Sequence, residues 1–162
     1  MIISTCYSAA ISGDNLPKKT LQDTVDCYRS AVDYFIVIID KSWNTLFTKE
    51  MSLTDVVTAV ENLCIPSPKR IGLPYNFPSA DPSFNRFPSY LRRAAIRTAF
   101  GKVKAYYSLL SKWNKAPHKK GQNPPSKPKA GDCFPPLYRH NMFEGHKFAG
   151  YLQSQSQTNI MS

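Results

Sequence analysis

Apolar residues recur at helical spacing over three stretches of the chain. In the first, Leu21, Val25, Tyr28, Val32, Phe35, Ile36, Ile39, Trp43 and Leu46 fall on one face at 100° per residue, so a long amphipathic helix is predicted from Pro17 to about residue 47. A second, shorter helix is announced by Ser52-Leu53-Thr54-Asp55, where Ser52 can cap and Asp55 stands at the third helical position. Val56, Val57, Val60, Leu63 and Cys64 supply its buried side, and Pro66 ends it. The third helix runs from Tyr90 to about Asn114 behind a capping Ser89, with Ile96, Phe100, Val103, Tyr107 and Leu110 as its apolar stripe.

Elsewhere the pattern changes. The β-branched start of Ile2–Ile11 predicts a strand, closed by a turn at Gly13-Asp14-Asn15. Residues 66–88 hold six of the thirteen prolines, which predicts neither helix nor central strand. Tyr75, Phe77, Phe84 and Phe87 lie among those prolines. Such aromatics can stack on bases, but pinning the loop to the core is the favoured reading. Residues 115–131, rich in Lys, Pro and Gly, read as an extended, flexible basic linker. Phe134–Arg139 and Phe143–Leu152 read as a β-hairpin, and 153–162 as an unpatterned polar tail. The predicted class is therefore α+β: three principal helices inserted between an N-terminal strand and a C-terminal hairpin. The expected segments are 1–16, 17–114, 115–131, 132–152 and 153–162.

Charge sharpens this picture once it is located. The formal net charge of +10 is not spread evenly. Residues 1–81 carry seven Lys/Arg against nine Asp/Glu, and residues 132–162 carry two of each sign. Residues 82–131 carry twelve Lys/Arg and no acidic residue. A segment of that kind repels itself in the absence of a polyanion, and it predicts nucleic acid as the partner ahead of a membrane surface. Arg93, Arg97, Lys104 and Lys115 line up within a 40° arc beside the apolar stripe of the third helix. With Arg92, Lys102, Lys112, Lys119, Lys120, Lys127, Lys129 and Arg139 they form the candidate nucleic-acid-binding set. On the first helix Asp26, Asp33 and Asp40 repeat every seven residues. That places neighbours about 10 Å apart, too far to share one metal ion, so they read as a solvated acidic edge facing the basic helix.

No catalytic site, metal or cofactor is predicted. His118 has no partner nearby in sequence, and the spacing of Cys133, His140 and His146 fits no standard zinc site. Phosphate-cradling glycine motifs and a nucleophile elbow are missing. Cys6, Cys27, Cys64 and Cys133 are far apart and read as reduced, mostly buried thiols. The chain contains no apolar run of membrane-spanning length and no signal peptide, which makes the cytoplasm the default compartment.

The order of several short motifs resembles a known family. Lys18-Lys-Thr-Leu21 leads into Cys27-Tyr-Arg-Ser-Ala-Val32, then Ser89-Tyr-Leu-Arg-Arg93, Gly101-Lys-Val-Lys104, Pro128-Lys-Ala130, Phe134-Pro135 and Leu137-Tyr-Arg-His-Asn-Met-Phe143. Across residues 1 to about 150 this is similar to the N-terminal portion of the TnpB family, the OrfB-type transposases that act as RNA-guided nucleases related to type V CRISPR effectors. Residues 137–143 are the most specific piece.

The resemblance implies that residues 1–16 and 132–152 belong to an incomplete, barrel-like wedge domain and that 17–114 form a helical recognition domain. It implies RNA and DNA as partners, with Arg92, Arg93, Arg97 and Lys104 on backbone phosphates, reading shape more than sequence. The family's nuclease domain, with its acidic metal ligands and C-x-x-C pair, has no counterpart here. The expectation is therefore a mobile-element fragment without cleavage activity, whose nuclease portion is encoded separately. The alternatives are a helical protein-interaction module with charged edges and, third, a stand-alone DNA-binding repressor.

Overall fold

The computed structural model describes residues 18–47, 50–117 and 121–136. Four helices account for most of them: α1 (Lys18–Leu46), α2 (Leu53–Cys64), α3 (Phe77–Ala80) and α4 (Ser89–Lys115). A 3-10 turn at Pro82–Arg86 separates the last two. No strand is present among the described residues, which corrects the α+β class to a mainly helical one. Phe134–Pro136 has no regular secondary structure and joins no ladder. Pro135 and Pro136 have no N–H to donate, and the backbone just before them is engaged by a side chain of α1 instead. The predicted strand at 2–11 and the remainder of the hairpin lie outside the described residues.

The core forms where the three apolar stripes meet. Tyr28, Val32, Phe35, Ile36 and Ile39 of α1 are buried, joined by Ala31 and Ile38. From α4 come Leu91, Ile96, Phe100 and Val103, with Ala94, Ala95 and Ala99 allowing close approach of the helices. Val56, Val57, Val60 and Cys64 close the third side. Each large side chain taken from water contributes roughly 1.5–3 kcal/mol, and this burial holds the helices together. α1 and α4 run in the same sense. The Tyr28 hydroxyl is hydrogen-bonded to Thr98 Oγ1 at 3.0 Å, while fifteen residues further on Trp43 stacks on Tyr107 at 4.6 Å between ring centroids. Two parallel neighbours need a long connection, and α2 with the proline-rich segment provides it.

Ser52 caps α2 as its spacing predicts. Its Oγ accepts from the Asp55 N–H at 3.2 Å and donates to the Asp55 carboxylate at 2.6 Å. A cap of this kind contributes about 1 kcal/mol. At α4 the expected cap is displaced. The N-cap position is Pro88, and Ser89 opens the first turn without a side-chain cap bond.

The proline-rich stretch is more ordered than its composition predicts. Pro78 and Pro82 sit in the first turns of α3 and the 3-10 turn, where a missing N–H costs nothing. The aromatics between them are pinned to the core. Phe77 stacks on Phe35 at 4.9 Å and on Phe84 at 4.3 Å, and Phe87 is buried beside them.

Residues 121–136 do not behave as a loose linker. After α4 the chain reverses and runs back along α1 as an extended strap, antiparallel to it. Lys127 Nζ lies 2.8 Å from the Asp40 carboxylate, and the Ala130 N–H donates to Asp33 Oδ1 at 2.6 Å. Arg29 Nε donates to the Cys133 carbonyl at 3.1 Å, with its guanidinium 5.1 Å from the centre of the Phe134 ring. Seven residues of helix from Asp33 to Asp40 rise about 10 Å, the distance that three residues of extended chain cover. The heptad of acids and the triplet of strap residues are thus in register. Ala130 is 1% exposed, and Gly131 turns the backbone directly after it with φ 57.

Candidate nucleic-acid interface

The twelve cations singled out from the sequence separate into distinct groups. Arg92 is 19% exposed, and its Nη2 lies 3.0 Å from Glu61 Oε1 on α2. Arg93 donates to the same oxygen at 3.3 Å but stays 57% exposed. One carboxylate thus ties two arginines to α2. Arg92 is committed to that pairing, and Arg93 is shared between Glu61 and solvent. Lys127 is held by Asp40. Lys102 is half-buried on the strap side of α4, where its charge acts on the Cys133 thiol. Lys129 is exposed on the strap. Lys119, Lys120 and Arg139 lie outside the described residues.

Arg97, Lys104, Lys112 and Lys115 remain, all exposed on the outer face of α4. Among the described residues none of them pairs with a carboxylate. Their helical positions fall within about 80° of arc and span about 27 Å from Arg97 to Lys115. The other exposed positions between Arg97 and Lys115 are Gly101, Ala105, Ser108 and Ser111 within or beside that arc, with Leu109 and Asn114 off its two sides. Lys112 and Lys115 also occupy the last turn, where the helix dipole favours positive charge. The result is a rigid, single-signed cationic ridge with short side chains in its gaps. It can neutralise a row of anions at fixed spacing, and it holds no nucleophile or acid–base pair.

The profile of the Aq_aa04 family matches residues 6–160. The chain belongs to the Aq_aa04 family. No curated protein matches it, and no solved structure does either. The Aq_aa04 match spans the three principal helices, the strap and most of the polar tail.

The described cysteines of this Aq_aa04 chain are not activated. Burial pushes the Cys64 thiol up to about 12 and raises those of Cys27 and Cys133 as well. At Cys133 burial outweighs the opposing influence of Lys102 and Arg29, so none of the three is an activated nucleophile. All three are free thiols. No group of three His, Cys, Asp or Glu among the described residues could hold a metal ion. His140 and His146 lie outside those residues, so the Cys133–His140–His146 combination cannot be placed. A surface depression of ≈ 370 Å³ lies in the loop from Pro66 to Asn76. Its one charged lining residue, Arg70, donates from Nη1 to the Glu61 carbonyl at 3.4 Å. Among the described residues no helix is long and apolar enough to cross a membrane.

Three residues outside the candidate set prove to organise it. Glu61 decides which arginines are spent, while Asp33 and Asp40 hold the strap. The Asp40 carboxyl is held below its ordinary value of 3.8, first by Lys127 and then by the Tyr107 hydroxyl, with burial opposing both. Tyr107 itself is pushed up to about 12 by burial and by Asp40, so it stays a donor. A depressed carboxylate contributes stability that is complete above pH 3.8 and lost as pH falls through the lower folded value. Hydrogen exchange at the Ala130 amide, corrected for its intrinsic pH dependence, is therefore expected to stay slow from pH 8 to pH 5. It accelerates in more acid solution, and Asp40→Asn brings faster exchange already at pH 7.

Proposed function

We propose that this chain binds nucleic acid through the phosphate backbone, along the outer face of α4. The observation that carries the reading is the run of Arg97, Lys104, Lys112 and Lys115, exposed without a carboxylate partner among the described residues. A solvated helix face ordinarily mixes signs to gain i,i+4 pairs, and this one has no acid along its whole length. Phosphate contacts of this type give affinity and orientation and carry little sequence information. The motif order that resembles the TnpB family supports the same reading. A role in handling RNA, DNA or their hybrid within a mobile-element nuclease system is its most specific form.

Binding of the purified chain to duplex and structured RNA, measured over a salt series, tests the proposal. Four to five phosphate contacts give a linear fall of log affinity against log salt with a slope of about −4. A flat salt dependence, or no binding at 50 mM salt, refutes it.

The protein-interaction reading ranks second. It needs the acidic edge of α1 to be open, and two of that edge's three heptad acids, Asp33 and Asp40, are already engaged by the strap.

A further inference from the structure

We infer that the α4 ridge is built for the backbone of a double-stranded nucleic acid, and not for single strands or base edges; this rests on the phosphate-binding reading above. The argument comes from what lies between the cations. Proteins that hold single strands interleave positive charge with aromatic platforms on which bases stack. Of the aromatic side chains of α4, Phe100 is buried and Tyr90, Tyr106, Tyr107 and Trp113 are half-buried, so none stands fully exposed as a platform. Tyr107 is stacked against Trp43 of α1, and Tyr106 lies edge-on against Tyr107. Phe77, Phe84 and Phe87 of the proline-rich segment are buried. Phe134, the one large exposed aromatic among the described residues, lies beneath the Arg29 guanidinium on the strap.

Base-edge reading is equally unsupported. Direct readout relies on amides and bidentate arginines presented together. α4 contains no Gln, its one Asn, Asn114, lies off the cationic arc, and Arg92 is tied to Glu61. Ser108 and Ser111 add hydroxyls that can bond phosphate oxygens.

The ridge has the geometry of a straight ruler. Its cations span about 27 Å, or about 8 base pairs at 3.4 Å each. A duplex is stiff over about 150 base pairs, so its two helical backbones cross such a line at fixed, groove-spaced intervals without bending. A single strand must be ordered into the same line and gains no stacking in return. Gly101 has no heavy atom within 4 Å of where a Cβ would stand, which leaves the middle of the ridge open to a close-lying strand.

Fluorescence anisotropy of the full chain with a ladder of labelled duplexes tests this at 50 mM salt. Duplex DNA and duplex RNA of 6, 8, 10, 14 and 20 base pairs are compared with an unstructured 20-nucleotide oligouridine. Affinity is expected to rise steeply up to 8–10 base pairs and only in proportion to the number of registers beyond. Shuffling the sequence leaves it unchanged, and either duplex binds at least tenfold tighter than oligouridine. A preference between RNA and DNA duplexes supports the inference and identifies the source of the backbone. Oligouridine binding as tightly as both duplexes overturns it while leaving the phosphate reading in place. Failure of every ligand to bind overturns both.

Discussion

Replacing Arg97, Lys104, Lys112 and Lys115 together by glutamine is expected to lower duplex affinity on the order of a hundredfold at 50 mM salt. The slope of log affinity against log salt should flatten by about 3.6, because each lost phosphate contact removes about 0.9. The four side chains are exposed and make no ion pair among the described residues, so the thermal unfolding midpoint should barely change. A companion variant, Arg92→Gln, should behave in the opposite way. It strips Glu61 of its better-buried partner and destabilises the α2–α4 contact by about 1–3 kcal/mol, yet leaves the salt slope untouched. If Arg92→Gln flattened the slope as much as one of the outer four, the assignment of the ridge would be wrong.

The largest effect on stability is expected at Phe77. Its ring is sandwiched between Phe35 of α1 and Phe84 of the 3-10 turn, and it is 1% exposed. Phe77→Ala removes both stacks and leaves a cavity, at a cost of about 3–5 kcal/mol. A domain of this size is stable by about 5–15 kcal/mol, so the variant loses a large share of that margin. Urea unfolding should show a lower midpoint with an unchanged slope. Phe77→Leu, which keeps most of the apolar volume, should recover a good part of the loss. A Phe77→Ala protein as stable as the parent would show that the proline-rich segment is not anchored where the rings place it.

The three principal helices were legible because burial imposes a period, and residues such as Val32, Phe35, Ile96 and Val103 carry it without competition. Their ends were legible to within a residue or two, since Pro17, Ser52, Pro66 and Pro88 limit where helical bonds can begin or stop. The strap was not. Lys, Pro and Gly over residues 115–131 describe a chain with no apolar period, and such composition does not distinguish a free linker from a segment tied down by side chains elsewhere. The signal was present in Asp33 and Asp40, whose seven-residue spacing equals three extended residues. It becomes meaningful only once the two segments are known to be adjacent.

The pairing of Arg92 was hidden for a related reason. Its partner Glu61 is 31 residues away and on another helix, outside any i,i+4 test. The expected hairpin fails at Phe134–Pro136, where two consecutive prolines supply no N–H to a ladder.

The parallel pairing of α1 with α4 also bears on how the chain is made. A nascent polypeptide emerges from its N-terminus, so α1 is complete about seventy residues before the surface that covers it exists. Through that interval Phe35, Ile36 and Ile39 have only α2 and the proline-rich segment to shelter them. Phe77 and Phe84 reach Phe35 well before α4 is finished, so the aromatic stack acts as a provisional cover on a helix that would otherwise leave the ribosome with its apolar side open to water.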